Sequence, residues 1–455
     1  MKPRRLTLTV ALAAMAALVA SAVAGANGGG SPILVDPFGA ACPAQHETVV
    51  EPDTYSTGST IVAAAQTSLF TDGGACDNGF ATSTTNGASW TSGVLPGITV
   101  YTSPPGPYAR ASDPAVAYDA RHNVWLIASL ALDANLHGAA VLASRSTNGG
   151  LTWTNPAKIA VAGNGQSFEK PWIVCDNGSA SPFFGSCYAQ FDDAAHGKQL
   201  KISSSTDGGS TWTARPTPNI GVIGGQPLVQ PTGKVIIPID NASETALGAL
   251  VSSNGGASWT VVNITSITAA VDPGTIVSSP LPSAEIDGAG KVFVTWEDCR
   301  FRAGCSTNDL VYTTSTNGTA WTTVQRIPAD PGGVNGTQDT LIPGIGVDRA
   351  TSGPTAHVSV TYYFFPNVNC TFATCQLFAG SISSTNGAMT WSAQVTLRGP
   401  MQLCWFPVLG QGRFLGDYIS TSFTGNGTSH GAVIAANPPC SVFDAALYDP
   451  PTRFR

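Results

Sequence analysis

The chain has 455 residues, of which only 11% are charged, with a formal net charge of −7, 50 glycines and 32 prolines. So little charge among so many turn formers excludes a mainly helical protein, and a net-acidic chain with no basic patch excludes binding to nucleic acid or to an anionic membrane.

Residues 1–26 carry Lys2, Arg4 and Arg5, then an apolar run, then small residues at Ala22, Ala24 and Ala26. That is the pattern of a cleaved export signal. No later run is long and apolar enough to span a bilayer, so a secreted, soluble and monomeric mature protein is expected. Residues 27–45 form a Gly-, Pro- and Ala-rich linker around the apolar stretch Ile33 to Val35, able to donate one closing strand. Residues 46–455 read as a single domain built from repeats.

The first unit has strand-like runs at 46–52 and 59–66, and the second at 113–119, 123–132 and 139–146. Later units start near residues 170, 226, 281, 342 and 415. Six units also carry one recurring turn: 83–90, 146–153, 205–212, 252–259, 314–321 and 384–391, of which Ser205-Thr206-Asp207-Gly208-Gly209-Ser210-Thr211-Trp212 is the fullest copy. Asp or Asn accepts hydrogen bonds from the backbone downstream, glycine takes the positive-φ position, and tryptophan packs the turn onto its sheet. The last unit has runs at 415–423, 430–436 and 444–448 but no such turn.

These turns are similar to Asp-boxes, the BNR repeats, and the chain resembles the Asp-box propellers of the sialidase superfamily over nearly its whole length. The resemblance implies an all-β fold, a β-propeller of four-stranded antiparallel blades. Seven starts with three strands at the end favour seven blades, the N-terminal segment supplying the missing outer strand. Six remain the alternative, if the last strands complete the first blade.

Ten cysteines suit an oxidising compartment, and Cys175/Cys187, Cys299/Cys305 and Cys370/Cys375 read as local disulfides. The connections of Cys42, Cys76, Cys404 and Cys440 stay open. No histidine spacing suits a metal and no glycine-rich phosphate loop precedes a helix, so neither metal nor cofactor is expected.

In a propeller the turns lie on one face, and the starts of the inner strands with the loops after the second strands lie on the other, where a pocket is expected. Those places bring Arg110, Asp113, Glu169, Lys170, Gln226, Arg413, Asp417 and Tyr418, the run Glu297-Asp298-Cys299-Arg300, and Tyr362. Carboxylates, arginines and rings in one pocket suit glycoside hydrolysis, which needs a proton donor, a nucleophile or base, and faces to stack a sugar. By the sialidase resemblance, Asp113 would be the acid/base, Tyr418 the nucleophile, Glu297 or Glu169 its partner, and Arg110, Arg300 and Arg413 a clamp on a substrate carboxylate. Lys170, Gln226, Asp298, Asp417 and Tyr362 are the further substrate-binding candidates. Bland readings stand beside these: Asp113 and Asp417 as strand-end caps, Glu169 and Lys170 as an interblade ion pair, alternate residues of 362–365 as core. The expected function is a secreted sialidase-like glycosidase acting on carbohydrate. The alternatives are a non-catalytic glycan- or protein-binding propeller and a polysaccharide lyase.

Overall fold

A computed structural model describes residues 30–453; the expected export signal and residues 27–29 of the linker lie outside them. Among the described residues the only helical pieces are three-residue 3-10 turns, and the strands pair antiparallel into sheets joined by turns and loops. The first sheet runs Gln45–Thr57, Thr60–Leu69, Ala75–Ser83, Thr91–Val94, and the second Arg110–Asp119, Val124–Leu132, Gly138–Ser146, Ala157–Val161. A single pairing, Ala75 with Ala111, joins them at the edge. The third comprises Phe168–Cys175, Cys187–Asp193, Gln199–Ser205 and Thr213–Ala214.

In the fourth, the innermost strand is broken into Val222–Ile223 and Leu228–Val229, both on Val235–Asn241, followed by Ala246–Ser252 and Thr260–Ser266. The fifth (Ser283–Ile286, Val292–Asp298, Asp309–Ser315, Gln325–Arg326) and sixth (Asp339–Val347, Val358–Phe365, Gln376–Ser384, Val395–Gln402) are again simple meanders. The last sheet orders Ser420–Phe423, Thr428–Ala436 and Ala445–Tyr448, with Pro451–Arg453 also paired to Thr428–Ala436.

Strands buried on both sides need apolar or small residues at every position, not alternate ones. Thr60–Leu69 and Val124–Leu132 are of that kind, buried almost from end to end. The apolar clusters accordingly lie between successive sheets, such as Val62, Phe80, Ile127 and Leu142 between the first and second. The first strand of each sheet packs on that of the next, and Ser420–Phe423 packs on both Asp339–Val347 and Gln45–Thr57. Beyond Ala445–Tyr448, Ile33 N–H donates to Leu447 O (2.8 Å) and Leu447 N–H donates to Leu34 O (3.0 Å).

The six recurring turns share one hydrogen-bond scheme. A serine Oγ at the end of the third strand accepts an N–H from the residue that closes the turn: Gly87, Gly150, Gly209, Gly256, Gly318 and Ala388, at 2.8–3.0 Å. All six acceptor-facing residues have positive φ, and Ala388 at φ 70° occupies the place glycine takes in the other five. Asp207 Oδ1 receives the Ser210 and Thr211 N–H groups (3.0 and 2.9 Å) and Oδ2 the Thr211 hydroxyl (2.6 Å). The six tryptophans are half-buried rather than fully enclosed, each against a different apolar cluster. They seal the edges of the intersheet layers.

The three local disulfides form, and the remaining four cysteines pair as Cys42–Cys76 and Cys404–Cys440, leaving none free. Cys42–Cys76 ties the segment that reaches the last sheet to the third strand of the first. Replacing both by alanine is expected to lower the unfolding free energy by about 4 kcal/mol, the chain-entropy value for a closure spanning 34 residues. Urea unfolding of the double variant checks this.

Candidate functional site

The innermost strands share a device the strand pattern alone does not announce. In four of them a residue directly before proline sits in the left-handed region: Glu51 (φ 53°), Asp113 (φ 46°), Lys170 (φ 48°) and Ile342 (φ 51°). At each the pairing register slips, so the extra residue is re-aimed out of the ladder. Non-glycine residues so placed cost about 1–3 kcal/mol each and persist only where their surroundings hold them. Here those surroundings are carboxylates. Lys170 N–H donates to Asp113 Oδ2 (3.1 Å), Ile342 N–H to Glu297 Oε2 (3.0 Å), and Asp417 N–H to Glu51 Oε1 (3.2 Å).

Three of the four bulged residues are ionisable, and they meet. Lys170 Nζ lies 3.5 Å from Glu51 Oε1 and 3.8 Å from Asp113 Oδ1, and bonds directly to Asp417 Oδ2. The Lys170 ammonium of the third sheet thereby joins carboxyl groups of the first and second sheets and of the segment leading into the last. Gln66 Nε2 donates to Glu51 Oε2, and Ser112 Oγ to Asp113 Oδ1 (3.1 Å). Tyr418 stands beneath, its ring 6.0 Å from Lys170 Nζ and edge-on to Trp172 (5.1 Å), its hydroxyl donating to Pro114 O (3.2 Å). Glu51, Asp113, Glu169, Lys170 and Asp417 line a cleft of about 250 Å³, walled on its apolar side by Leu69, Leu132 and Phe414.

Burial would strip Lys170 of its proton, but Asp113, Asp417, Glu51 and Glu169 together hold it well above its ordinary value, as an ammonium. Burial pushes Glu51 well up, against the pull of Lys170. Burial, and next the charge of Asp113, raise Glu169 to about 8, so it is a neutral acid at pH 7. Asp192, directly opposite Glu169 across the strand pair, is raised to about 8 by burial and then by Glu169. Tyr418 is driven well above its ordinary value by burial, then by Glu51 and Asp113, which disfavours a phenolate there.

The structure thus gathers Asp113, Glu169, Lys170, Asp417 and Tyr418. Gln226 is a neighbour: its Oε1 accepts Ala284 N–H (2.8 Å), and it shares a small cavity with Asp113, Lys170 and Tyr418. Other candidates lie elsewhere. Arg110 flanks the cleft but is spent on Asp72 (2.6 Å) and Gly73 O (2.6 Å), stacked on Phe70. Arg300 folds back on Asp298 (Nε to Oδ1 2.9 Å) and on Thr265 Oγ1 (3.1 Å), while Arg413 donates to Phe406 O (2.7 Å). The three arginines therefore do not converge on one point as a clamp requires. Glu297 is buried against the sixth sheet, and Tyr362 is wholly buried in the apolar layer with Phe293 and Val360. Glu51 was not among the sequence candidates. The signal for it is the shared residue-before-proline register of Glu51-Pro52, Asp113-Pro114 and Lys170-Pro171.

Several buried carboxyls keep protons that the unfolded chain releases near pH 4: burial raises Asp53 and Asp77 to about 7, Asp240 to about 8 and Asp339 to about 9, in addition to Glu169 and Asp192. Between those values and about 4 the folded state binds more protons than the unfolded state, so stability falls as pH rises. A melting temperature several degrees higher at pH 5 than at pH 8 is expected from a thermal-denaturation series.

No family model matches the chain, and no curated protein does. Its structural neighbours include sialidases at low sequence identity. The Hadza microbial sialidase Hz136 is 15% identical with a TM-score of 0.46 over 78% of this chain and 66% of that one. The NanB sialidase from Streptococcus pneumoniae is 12% identical with a TM-score of 0.44 over 92% and 69%. The leech intramolecular trans-sialidase is 13% identical with a TM-score of 0.45 over 93% and 69%. The chain spans just under two thirds of the length of the first of these.

Proposed function

We propose that the chain is a secreted glycoside hydrolase whose residues 46–455 form one seven-bladed Asp-box β-propeller, with its catalytic pocket on the face opposite the boxes. The succession of innermost strands, returning from Ser420–Phe423 to Gln45–Thr57, supports ring closure. The bonds of Ile33 and Leu34 to Leu447 support an outer strand given by the N-terminal segment. Five disulfides, with no described helix long and apolar enough to cross a membrane, fit an extracytoplasmic protein.

One observation carries the reading of the site: strained, bulged Glu51, Asp113 and Lys170 converge with Glu169 and Asp417 on a single cleft. Hydrolysis of a glycosidic bond needs a protonated carboxyl beside an ionised one. Glu169 supplies the proton to the leaving oxygen. Asp417, paired with Lys170 and with its side chain 21% exposed against 2% for Asp113, is the accessible carboxylate and acts as nucleophile or base. Asp113 and Glu51 hold the lysine, and the Tyr418 ring packs beside it. This moves the nucleophile from Tyr418, and the acid from Asp113, to better-placed neighbours.

A binding propeller without catalysis is the second reading, because the Lys170 network would tie four sheets together even if no bond were cut. Release of aglycone from a panel of aryl glycosides by the purified protein decides between them. Turnover of at least one is expected; no turnover on any, with glycan binding intact, would leave the binding reading.

A further inference from the structure

The hydrogen-bonding capacity of the cleft is one-sided, and this restricts what it can hold if the hydrolase reading above is right. Five carboxyl groups line it, Glu51, Asp72, Asp113, Glu169 and Asp417, with Lys170 the one cation among the lining residues. Lys170 is already engaged by Asp417, Glu51 and Asp113, and Asp72 by Arg110. Gln66 also lines the cleft and is 2% exposed; its Nε2 is given to Glu51, and its Oε1 has no donor at all. A buried acceptor left without a donor costs about 1–3 kcal/mol. Apart from the Glu169 proton and the already engaged Lys170, the lining side chains thus offer acceptors, and a ligand that brings donors and positive charge complements them.

Two kinds of ligand could do so, a metal ion or an ammonium group. A metal needs several ligand atoms at one point, and among the described residues the one trio of ligand atoms within 4.8 Å of one another is Asp119, Cys175 and Cys187. None of these lines the cleft, and the two cysteines are bonded to each other. The apolar wall of Leu69, Leu132 and Phe414 instead suits the C–H face of a sugar ring. A carboxylated sugar would meet the surrounding carboxylates with no free guanidinium to hold it, since Arg110 is occupied and Arg300 and Arg413 are bound elsewhere.

We infer that the glycosyl unit seated in this cleft is an amino sugar with its amino group free and protonated, accepted by Gln66 Oε1 and the neighbouring carboxylates. N-acetylation removes the charge, and a sialoside reverses it.

Calorimetric titration of the whole mature protein at pH 6.5 with methyl glucosaminide, its N-acetylated counterpart and methyl sialoside tests the inference. The free amine is expected to bind at least tenfold more tightly than the N-acetyl compound, to weaken as salt is raised, and to show no competition from the sialoside. Gln66→Leu, which keeps the side chain's bulk but also removes the bond to Glu51, is expected to lose fivefold or more in amine affinity when compared at a temperature where both proteins remain folded. Equal binding of the amine and N-acetyl forms, tighter binding of the sialoside, or displacement of the amine by one equivalent of calcium would each overturn it. Because binding is read without turnover, the two readings fail separately. Amine binding without hydrolysis would sink the hydrolase alone, whereas hydrolysis of neutral or acidic glycosides with no preference for the amine would sink the amino-sugar assignment alone.

Discussion

Glu169→Gln is expected to lower kcat by about 10²–10⁴-fold on a glycoside with a poor leaving group, the range for losing a positioned general acid. On an activated aryl glycoside, whose leaving group departs without a proton, the loss should be far smaller. The pH profile provides the sharper test. In the proposed role Glu169 acts in its protonated form, and it is raised to about 8 by burial and the charge of Asp113, so activity should fall as pH rises through about 8. In the glutamine variant that alkaline limb should disappear. An unchanged limb, or equal losses on good and poor leaving groups, would show that another group delivers the proton.

Lys170→Met is expected to destabilise the fold by about 3–5 kcal/mol, the cost of removing one partner from a buried ion pair and leaving the other uncompensated. Three carboxylates lose their cation together: Asp417, Glu51 and Asp113, the last two only 2% exposed. They come from the first sheet, the second sheet and the segment leading into the last, so the loss should loosen the packing between these parts, not one hairpin. Adding Asp417→Asn to the methionine variant removes one of the stranded charges and should recover part of the deficit. A loss under about 1 kcal/mol in urea unfolding would put this pair in the range of exposed salt bridges and remove it from the forces holding the sheets.

How much was legible in the sequence depended on whether a residue answers to local or to long-range rules. The six turns were legible because their hydrogen bonds span no more than five residues, as Ser205, Asp207 and Gly209 show. Cys175 and Cys187 pair directly across a hairpin and could be read from spacing. Cys42 and Cys76 could not, since their partnership depends on where the N-terminal segment returns. Asp113 and Lys170 are legible as neighbours because each stands near the start of the first strand of its sheet, and Asp417 because it lies just before Ser420–Phe423.

Glu51 stands there too but within an apolar run, Val49-Val50-Glu51-Pro52, where a single charge carries little weight without the bulge that turns it inward. The Glu297 to Arg300 run stands out by its charge density, yet Arg300 is satisfied by Asp298 two residues away, and Arg302 just beyond it by Asp309 (2.8 Å) and Asp330 (3.0 Å). Tyr362 looked half outward under a period of two. Its strand is packed on both faces, so all of Val358–Phe365 is buried.

If the cleft around Lys170 cuts glycosidic bonds, as proposed, wild-type protein and Asp417→Asn will differ when assayed side by side for sugar release across a panel of aryl glycosides and oligosaccharides, each with its melting temperature recorded. Release by the wild type, and its loss in a variant that remains folded, is the predicted result. Undiminished release by a folded Asp417→Asn protein would place the chemistry elsewhere and contradict the account.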